Sequence, residues 1–146
     1  MFETIVTVLL GVTLFRLSLI DLRTLRLPDR FTLPLIFGGW VVNAFILGAW
    51  PWGPVAAAAT GYLVFALIGG IFFRWRQIEG LGLGDAKLLA AAGAWLGLRP
   101  LPLVILLAAL GGLAFAILTT SRRTAHIAFG PWLALSFFVV WLTIRS

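Results

Sequence analysis

The sequence of 146 residues contains no cysteine and a single histidine, His126, and only 11% of its residues are charged. Without cysteine the chain has no disulfide, no thiolate zinc or iron–sulfur site and no thiol nucleophile. One histidine is also too few for a clustered histidine metal site. We therefore expect neither a metal ion nor a cofactor.

Hydrophobic residues make up 62% of the chain, and its mean hydropathy is +1.09. Soluble domains are typically about 45–50% apolar and about 25% charged. A soluble fold of this size cannot bury so much apolar surface, which excludes a water-soluble enzyme or a nucleic-acid-binding protein. The composition predicts a polytopic membrane protein whose main surroundings are the lipid bilayer.

Polar segments divide the sequence into six apolar runs, which we interpret as helices because open strands cannot satisfy their backbone in lipid. The fourth run is too short to span a bilayer alone, so it is either a tilted span continuing to Leu101 or a partly buried half-helix. We predict an all-α bundle of about six transmembrane helices in one domain, residues 1–146. The runs cover residues 4–20, 32–50, 55–73, 86–98, 101–119 and 127–144.

Basic residues are distributed unevenly among the polar breaks between these runs. The second and fourth breaks contain only Arg99, and the C-terminus adds Arg145. Because short cytoplasmic loops are enriched in Lys and Arg, the odd-numbered breaks are predicted to be cytoplasmic and both termini periplasmic. The net charge of +6 is then a consequence of topology. The basic residues within or directly beside the odd-numbered breaks are Arg23, Arg26, Arg30, Arg74, Arg76, Lys87, Arg122 and Arg123.

The chain has only five acidic residues, and Glu3 lies at the predicted outer terminus. The other four, Asp21, Asp29, Glu79 and Asp85, all fall in the first and third breaks. Asp21 directly follows the first apolar run, and Asp85 directly precedes the fourth. Both aspartates are therefore predicted to lie at the same depth, near the cytoplasmic face.

Each of the two aspartates also has a structural interpretation. Asp85 precedes a helical run and is typical of a helix N-cap, which both side-chain bonding and the helix dipole favour. Asp21 would meet the negative end of the dipole near the lipid boundary, where ionisable groups are costly and are candidates for function. It could instead be an interfacial acid among arginines.

Two neighbouring carboxyl groups favour a specific chemistry. When they lie close together they cannot both ionise, so they share a proton. The ionised partner can take a proton from a water that attacks a peptide carbonyl, while the protonated partner polarises the carbonyl oxygen and protonates the leaving amine. Asp21 and Asp85 therefore suggest an aspartic peptidase.

The sequence around these residues resembles the type IV prepilin peptidase family of intramembrane aspartic proteases. The resemblance lies in Ile20-Asp21-Leu22-Arg23 with Leu27-Pro28-Asp29, and in the G-x-G-D motif Gly82-Leu83-Gly84-Asp85. Phe129-Gly130-Pro131 is similar to the C-terminal signature of the family, although that signature usually has a proline where this chain has Ala128.

The resemblance implies that Asp21 and Asp85 are catalytic, and that the substrate is the basic leader of a type IV prepilin or pseudopilin. Cleavage would take place at the cytoplasmic face of the bacterial inner membrane, in a pilus or type II secretion system. Glu79 and Asp29 are then candidates for binding the leader, with solvation beside arginines as their alternative role. The Gly82 and Gly84 turn would admit the scissile strand.

Large members of this family carry an additional cytoplasmic segment, often with paired CxxC motifs, and also N-methylate the mature pilin. This chain has no cysteine, so it resembles a short peptidase-only form and methyl transfer is not expected. The alternative function is a small transporter or channel subunit whose acids line an ion path. A protease of the presenilin kind is disfavoured because Ile20, not tyrosine, precedes Asp21.

Overall fold

The computed structural model describes residues 1–24, 26–76, 83–119 and 129–146, and all regular secondary structure in these ranges is helical. Four helices, α1, α2, α3 and α5, are long enough and apolar enough to cross a membrane, and α6 is a shorter apolar helix. The predicted all-α membrane fold is therefore confirmed, and the chain is a multi-pass membrane protein. The helices are α1 (Phe2–Thr24), α2 (Asp29–Leu47), α3 (Trp52–Arg76), α4 (Leu83–Leu96), α5 (Leu101–Leu118) and α6 (Gly130–Arg145).

The apolar pattern left two interpretations of the fourth run, a tilted span or a half-helix, and the structure shows a short helix there. α4 has 14 residues, which at about 1.5 Å per residue is well below the roughly 30 Å of a bilayer core. It ends at Leu96 because the next residue, Gly97, has a φ of 82°, in the left-handed region that glycine adopts without strain. The half-helix interpretation is therefore correct, and a continuous span through Leu101 is not.

The chain divides into two compact units. Unit 1 consists of Met1–Leu25 and Pro102–Ser146 and contains α1, α5 and α6. Unit 2 consists of Arg26–Leu101 and contains α2, α3 and α4.

In unit 1, α6 runs antiparallel to α1. Near the chain termini, the Trp141 indole N–H donates a hydrogen bond to the Thr7 hydroxyl at 3.1 Å. The Arg145 guanidinium lies 3.3 Å from the Glu3 carboxylate and 4.6 Å from the centre of the Trp141 ring. Lipid is as apolar as hydrophobic side chains, so the hydrophobic effect contributes little to helix association within a membrane. Polar contacts such as these, together with close packing, hold the helices together.

In unit 2, α4 packs against both α2 and α3. Small residues allow the backbones to approach closely. A Cβ at Gly93 would lie 2.6 Å from the Ala57 carbonyl carbon, and a Cβ at Gly39 would lie 2.8 Å from that of Ala94. The Trp95 indole N–H also donates to the Leu35 carbonyl at 2.7 Å. As a result α4 is largely buried, at Ala86, Leu88, Leu89, Ala90, Ala91, Ala92, Ala94 and Trp95.

Candidate active site

Asp21 lies in the last turn of α1, and only 5% of its surface is exposed. It follows Leu10, Leu14 and Leu17 on the buried side of the helix, at spacings of three and four residues. Such spacings bring residues onto one face of an α-helix. The Asp21 carboxyl group therefore faces the interior of unit 1 and not the surrounding solvent or lipid.

The Asp21 carboxylate has a backbone partner in α6. The Gly130 N–H donates a hydrogen bond to Asp21 Oδ2 at 3.1 Å. Gly130 is the first residue of α6, and the N-terminus of a helix carries free N–H groups and a partial positive charge. The unfavourable dipole that Asp21 meets at the end of α1 is thus opposed by a favourable one at the start of α6.

Asp85 is the third residue of α4 and is partly buried. Because the helix begins at Leu83, Asp85 lies inside the first turn and is not the N-cap residue that the sequence suggested. A carboxylate in the first turn still interacts favourably with the positive end of the helix dipole. The start of α4 therefore favours an acidic residue at this position.

The start of α4 packs against the extended segment at residues 26–28. A Cβ at Gly84 would lie 2.8 Å from the Leu27 Cβ and 3.2 Å from the Leu27 backbone nitrogen. The space beside Gly84 is therefore occupied by the chain itself. This contact alone is a packing reason for glycine next to Asp85. The approach of a substrate strand at the Gly82 and Gly84 turn stays a prediction.

Asp29, the first residue of α2, forms an ion pair with Lys87 of α4. The Asp29 side chain is 57% exposed and the Lys87 side chain 25% exposed. Lys87 follows Asp85 by two residues, so the pair connects the first residue of α2 with the second turn of α4. Since more than half of the Asp29 side chain remains open, a second cation can also reach it.

The structure thus places Asp21 in unit 1 and the residues Asp29, Gly84 and Asp85 in unit 2. Two other predicted site residues, Glu79 and Gly82, lie outside the described residues, and the roles assigned to all six remain predictions. The basic residues Arg122 and Arg123 and the histidine His126 also lie outside the described residues.

Three contacts at these positions were not predicted from the sequence. In the sequence, Lys87 is notable only for its charge, and Gly130 only as part of the Phe129-Gly130-Pro131 signature. The four-residue spacing of Asp21 from Leu17 indicates that both lie on the buried face of α1. The contacts of Asp21 with Gly130 and of Gly84 with Leu27 depend on tertiary packing, which the spacing does not show. Within the described ranges, no three His, Asp or Glu residues form a group that could hold a metal ion.

Comparisons with known proteins agree with these motifs. A sequence model of the type IV leader peptidase family matches residues 8–117, which include both Asp21 and Asp85. The chain is 48% identical over 123 residues to the prepilin leader peptidase/N-methyltransferase of Escherichia coli, covering 82% of this chain and 54% of that protein. It is 43% identical over 145 residues to the protein of the same name from Aeromonas salmonicida, covering 95% and 49% respectively.

A shorter relative matches along most of its length. The chain is 41% identical over 128 residues to leader peptidase HopD of Salmonella typhimurium, covering 84% of this chain and 83% of that protein. By contrast, the chain spans about half the length of the two longer relatives. No solved structure matches the chain significantly.

Proposed function

The chain belongs to the type IV leader peptidase family, and we propose that it is an aspartic endopeptidase that removes the basic leader of type IV prepilins or pseudopilins. The observation that carries this proposal is the buried Asp21 carboxylate, which accepts a hydrogen bond from the backbone N–H of Gly130. Among the residues that the structure describes, no cation forms an ion pair with Asp21, although an acid at membrane depth usually has such a partner when its role is structural. Asp85, within the G-x-G-D motif, supplies the second carboxyl group.

In the proposed mechanism, Asp21 and Asp85 share one proton and one water molecule. The ionised carboxylate takes a proton from the water as the oxygen attacks the carbonyl carbon of the scissile peptide. The protonated partner gives its proton to the carbonyl oxygen, which yields a tetrahedral diol. The carboxyl group that took the proton from water then gives it to the peptide nitrogen, while the other carboxylate takes a proton from one diol hydroxyl. The carbon–nitrogen bond breaks, and the leader separates from the mature N-terminus.

The leader carries positive charge, so acids at the entrance would favour its binding. Asp29 is the described residue best placed for this role, because its side chain is exposed although it is paired with Lys87. Glu79 is the second candidate. The charge asymmetry of the loops supports a site at the cytoplasmic face of the bacterial inner membrane, with both termini periplasmic.

We assign only the peptidase step to these 146 residues. The relatives from Escherichia coli and Aeromonas salmonicida are named for both leader peptidase and N-methyltransferase activity, whereas HopD is named for leader peptidase activity alone. The sequence has no cysteine and therefore none of the paired CxxC motifs that the larger forms often carry. Incubation of a processed pilin with this protein and S-adenosylmethionine should leave its N-terminus unmethylated.

The test of the proposed function is co-expression with candidate prepilins in a host that lacks its own prepilin peptidase. Leader removal is followed by the mobility of the pilin and by mass spectrometry of its N-terminus. The wild-type protein should cleave, whereas Asp21→Asn and Asp85→Asn should each leave the prepilin intact, because an amide cannot replace a carboxyl group in proton transfer.

Glu3→Gln is the matched control for these variants. Glu3 is an acid in the same chain, but it lies at the other end of α1 and pairs with Arg145. This variant should cleave as the wild type does. If Asp21→Asn or Asp85→Asn cleaves at the wild-type rate, the proposed function is wrong, and an ion-transport role for the acids becomes the better hypothesis.

A further inference from the structure

We propose that Gly130 is a positioning residue for the reaction, and that the start of α6 holds the Asp21 carboxylate in its working orientation. The inference rests on the proposed function, in which Asp21 is catalytic. It concerns a residue of the last helix that contributes no side chain. Two independent features of Gly130 carry it: the direction of its amide and the space it leaves.

The amide of Gly130 is the donor of the first α6 turn that reaches Asp21. Its N–H donates to Asp21 Oδ2 at 3.1 Å. The next residue, Pro131, has no N–H to donate. The N–H of Leu133 is already used within the helix, where it donates to the Phe129 carbonyl at 3.0 Å. The contact with the carboxylate is made by the backbone of Gly130 and needs no side chain.

The missing side chain of Gly130 is equally important for this contact. A Cβ at this position would lie 2.8 Å from Asp21 Cγ and 3.3 Å from Asp21 Cβ, and it would also collide with Oδ2. Real Cβ atoms do not approach other atoms as closely as 2.8 Å. Any larger residue would therefore turn the carboxyl group away or move α6.

Such a fixed contact has a direct consequence for catalysis. Donors and carboxylates that are oriented before the substrate binds require no reorganisation during the reaction. Asp21 is 5% exposed, so water does not compete effectively for its Oδ2 atom. The backbone of α6 thereby fixes one oxygen of the carboxyl group and leaves the other for the water or the scissile carbonyl.

The first test is a steady-state comparison of Gly130→Ala with the wild-type protein, purified in lipid nanodiscs, on a synthetic leader peptide. We expect kcat to fall by about 100-fold, since a displacement of about 1 Å has effects of this size. The proposal predicts that KM changes little, because the substitution alters the orientation of the reacting carboxyl group and leaves the charge of the protein unchanged. The thermal midpoint of each variant is measured in parallel.

Two glycines of α5 provide matched controls. A Cβ at Gly112 would be in ordinary contact with Phe129 at 3.7 Å, so Gly112→Ala should behave as the wild type. A Cβ at Gly111 would lie 2.5 Å from the Trp132 ring, so Gly111→Ala disturbs packing against α6 without touching Asp21. It should lower the thermal midpoint but retain kcat in the folded protein.

A second variant separates the effect of the Gly130 hydrogen bond from the effect of its missing side chain. Cell-free translation with glycolic acid at position 130 replaces the Gly130 amide by an ester, which removes the N–H and adds no side chain. We expect kcat to fall by about tenfold or more, the size expected for a lost hydrogen bond to a charged group. This variant decides the question if Gly130→Ala does not fold.

Wild-type kcat in either Gly130 variant would overturn the proposal, and so would an equal loss of kcat in Gly111→Ala. If Asp21→Asn cleaves, the proposed function itself is wrong. If Asp21→Asn is inactive while a Gly130 variant cleaves at the wild-type rate, only the positioning role is wrong.

Discussion

The Asn43 side-chain amide in α2 donates a hydrogen bond to the Ala94 carbonyl of α4 at 2.8 Å. The same nitrogen lies 3.2 Å from the Trp95 carbonyl and 3.0 Å from the Gly39 carbonyl. The last carbonyls of a helix have no partner within the helix. Because Ala94 and Trp95 are buried, their carbonyl groups would otherwise lie unsatisfied away from water, where the cost is high. Asn43 therefore allows a helix to stop inside the protein.

Replacement of Asn43 by leucine should destabilise unit 2. We expect a loss of about 1 kcal/mol, since one amide satisfies carbonyls at the end of a half-helix. The measurement is the thermal midpoint of purified protein in nanodiscs. Thr60→Ala is the control, because the Thr60 hydroxyl bonds only to Ala56 of its own helix and is exposed. An unchanged midpoint in Asn43→Leu would show that these contacts do not stabilise α4.

Gly93→Ala should also destabilise unit 2, through close packing. The added Cβ would lie 2.6 Å from the Ala57 carbonyl carbon and 2.8 Å from the Ala58 nitrogen, both backbone atoms of α3. Overpacking of this kind typically costs about 1–3 kcal/mol. Gly70→Ala is the matched control, since nothing lies within 4 Å of its Cβ. Equal midpoints for the two variants would contradict the contact between α3 and α4.

Much of the fold follows from composition and polar breaks. The apolar runs predict six helices. The charge asymmetry predicts that successive helices alternate in direction, and the antiparallel contact of α1 with α6 agrees with this. Helix ends are less predictable. The first run extends to Thr24 and the second begins at Asp29, because backbone hydrogen bonding continues through polar residues that no hydropathy pattern marks as helical.

The candidate site, like the helix ends, is only partly predictable from the sequence. Asp21 and Asp85 stand out because acids are rare in this chain, and the surrounding motifs strengthen the assignment. The pairing of Asp29 with Lys87, however, joins residues 58 positions apart. The contact of Gly130 with Asp21 spans 109 positions. One sequence without packing information carries no direct signal for such pairs.

Asp29→Asn should weaken binding of a basic leader. We expect KM for a leader peptide to rise severalfold at low salt while kcat stays constant, because exposed charges attract at a distance and are screened by ions. Lys87→Met is the control. It breaks the ion pair but keeps the Asp29 charge, and it should not raise KM. A pair this exposed contributes at most about 1 kcal/mol of stability, so both variants should fold.

An unchanged KM in Asp29→Asn would remove Asp29 from leader binding and leave it a purely structural partner of Lys87. A rise in KM that persists in high salt would also contradict the electrostatic explanation. Measurement at two ionic strengths therefore separates long-range attraction from a local disturbance of the α2 and α4 ends.

The absence of native cysteine makes the topology directly measurable. Arg99→Cys and Arg26→Cys place single thiols at exposed positions in two different breaks. A membrane-impermeant thiol reagent added to intact cells should label position 99 and not position 26, since basic loops remain cytoplasmic. After lysis both should react. Labelling of position 26 in intact cells would reverse the predicted orientation and place the acids on the wrong face.

Asp21 and Asp85 are proposed to act as one pair, and thiol cross-linking tests whether their side chains lie close together. The double variant Asp21→Cys with Asp85→Cys contains the only two thiols of the chain. A bifunctional reagent spanning about 5 Å, the range of strong coupling between carboxyl groups, should join them within one chain and leave neither single variant cross-linked. Both thiols reacting separately with the reagent, without an intramolecular product, would contradict the claim.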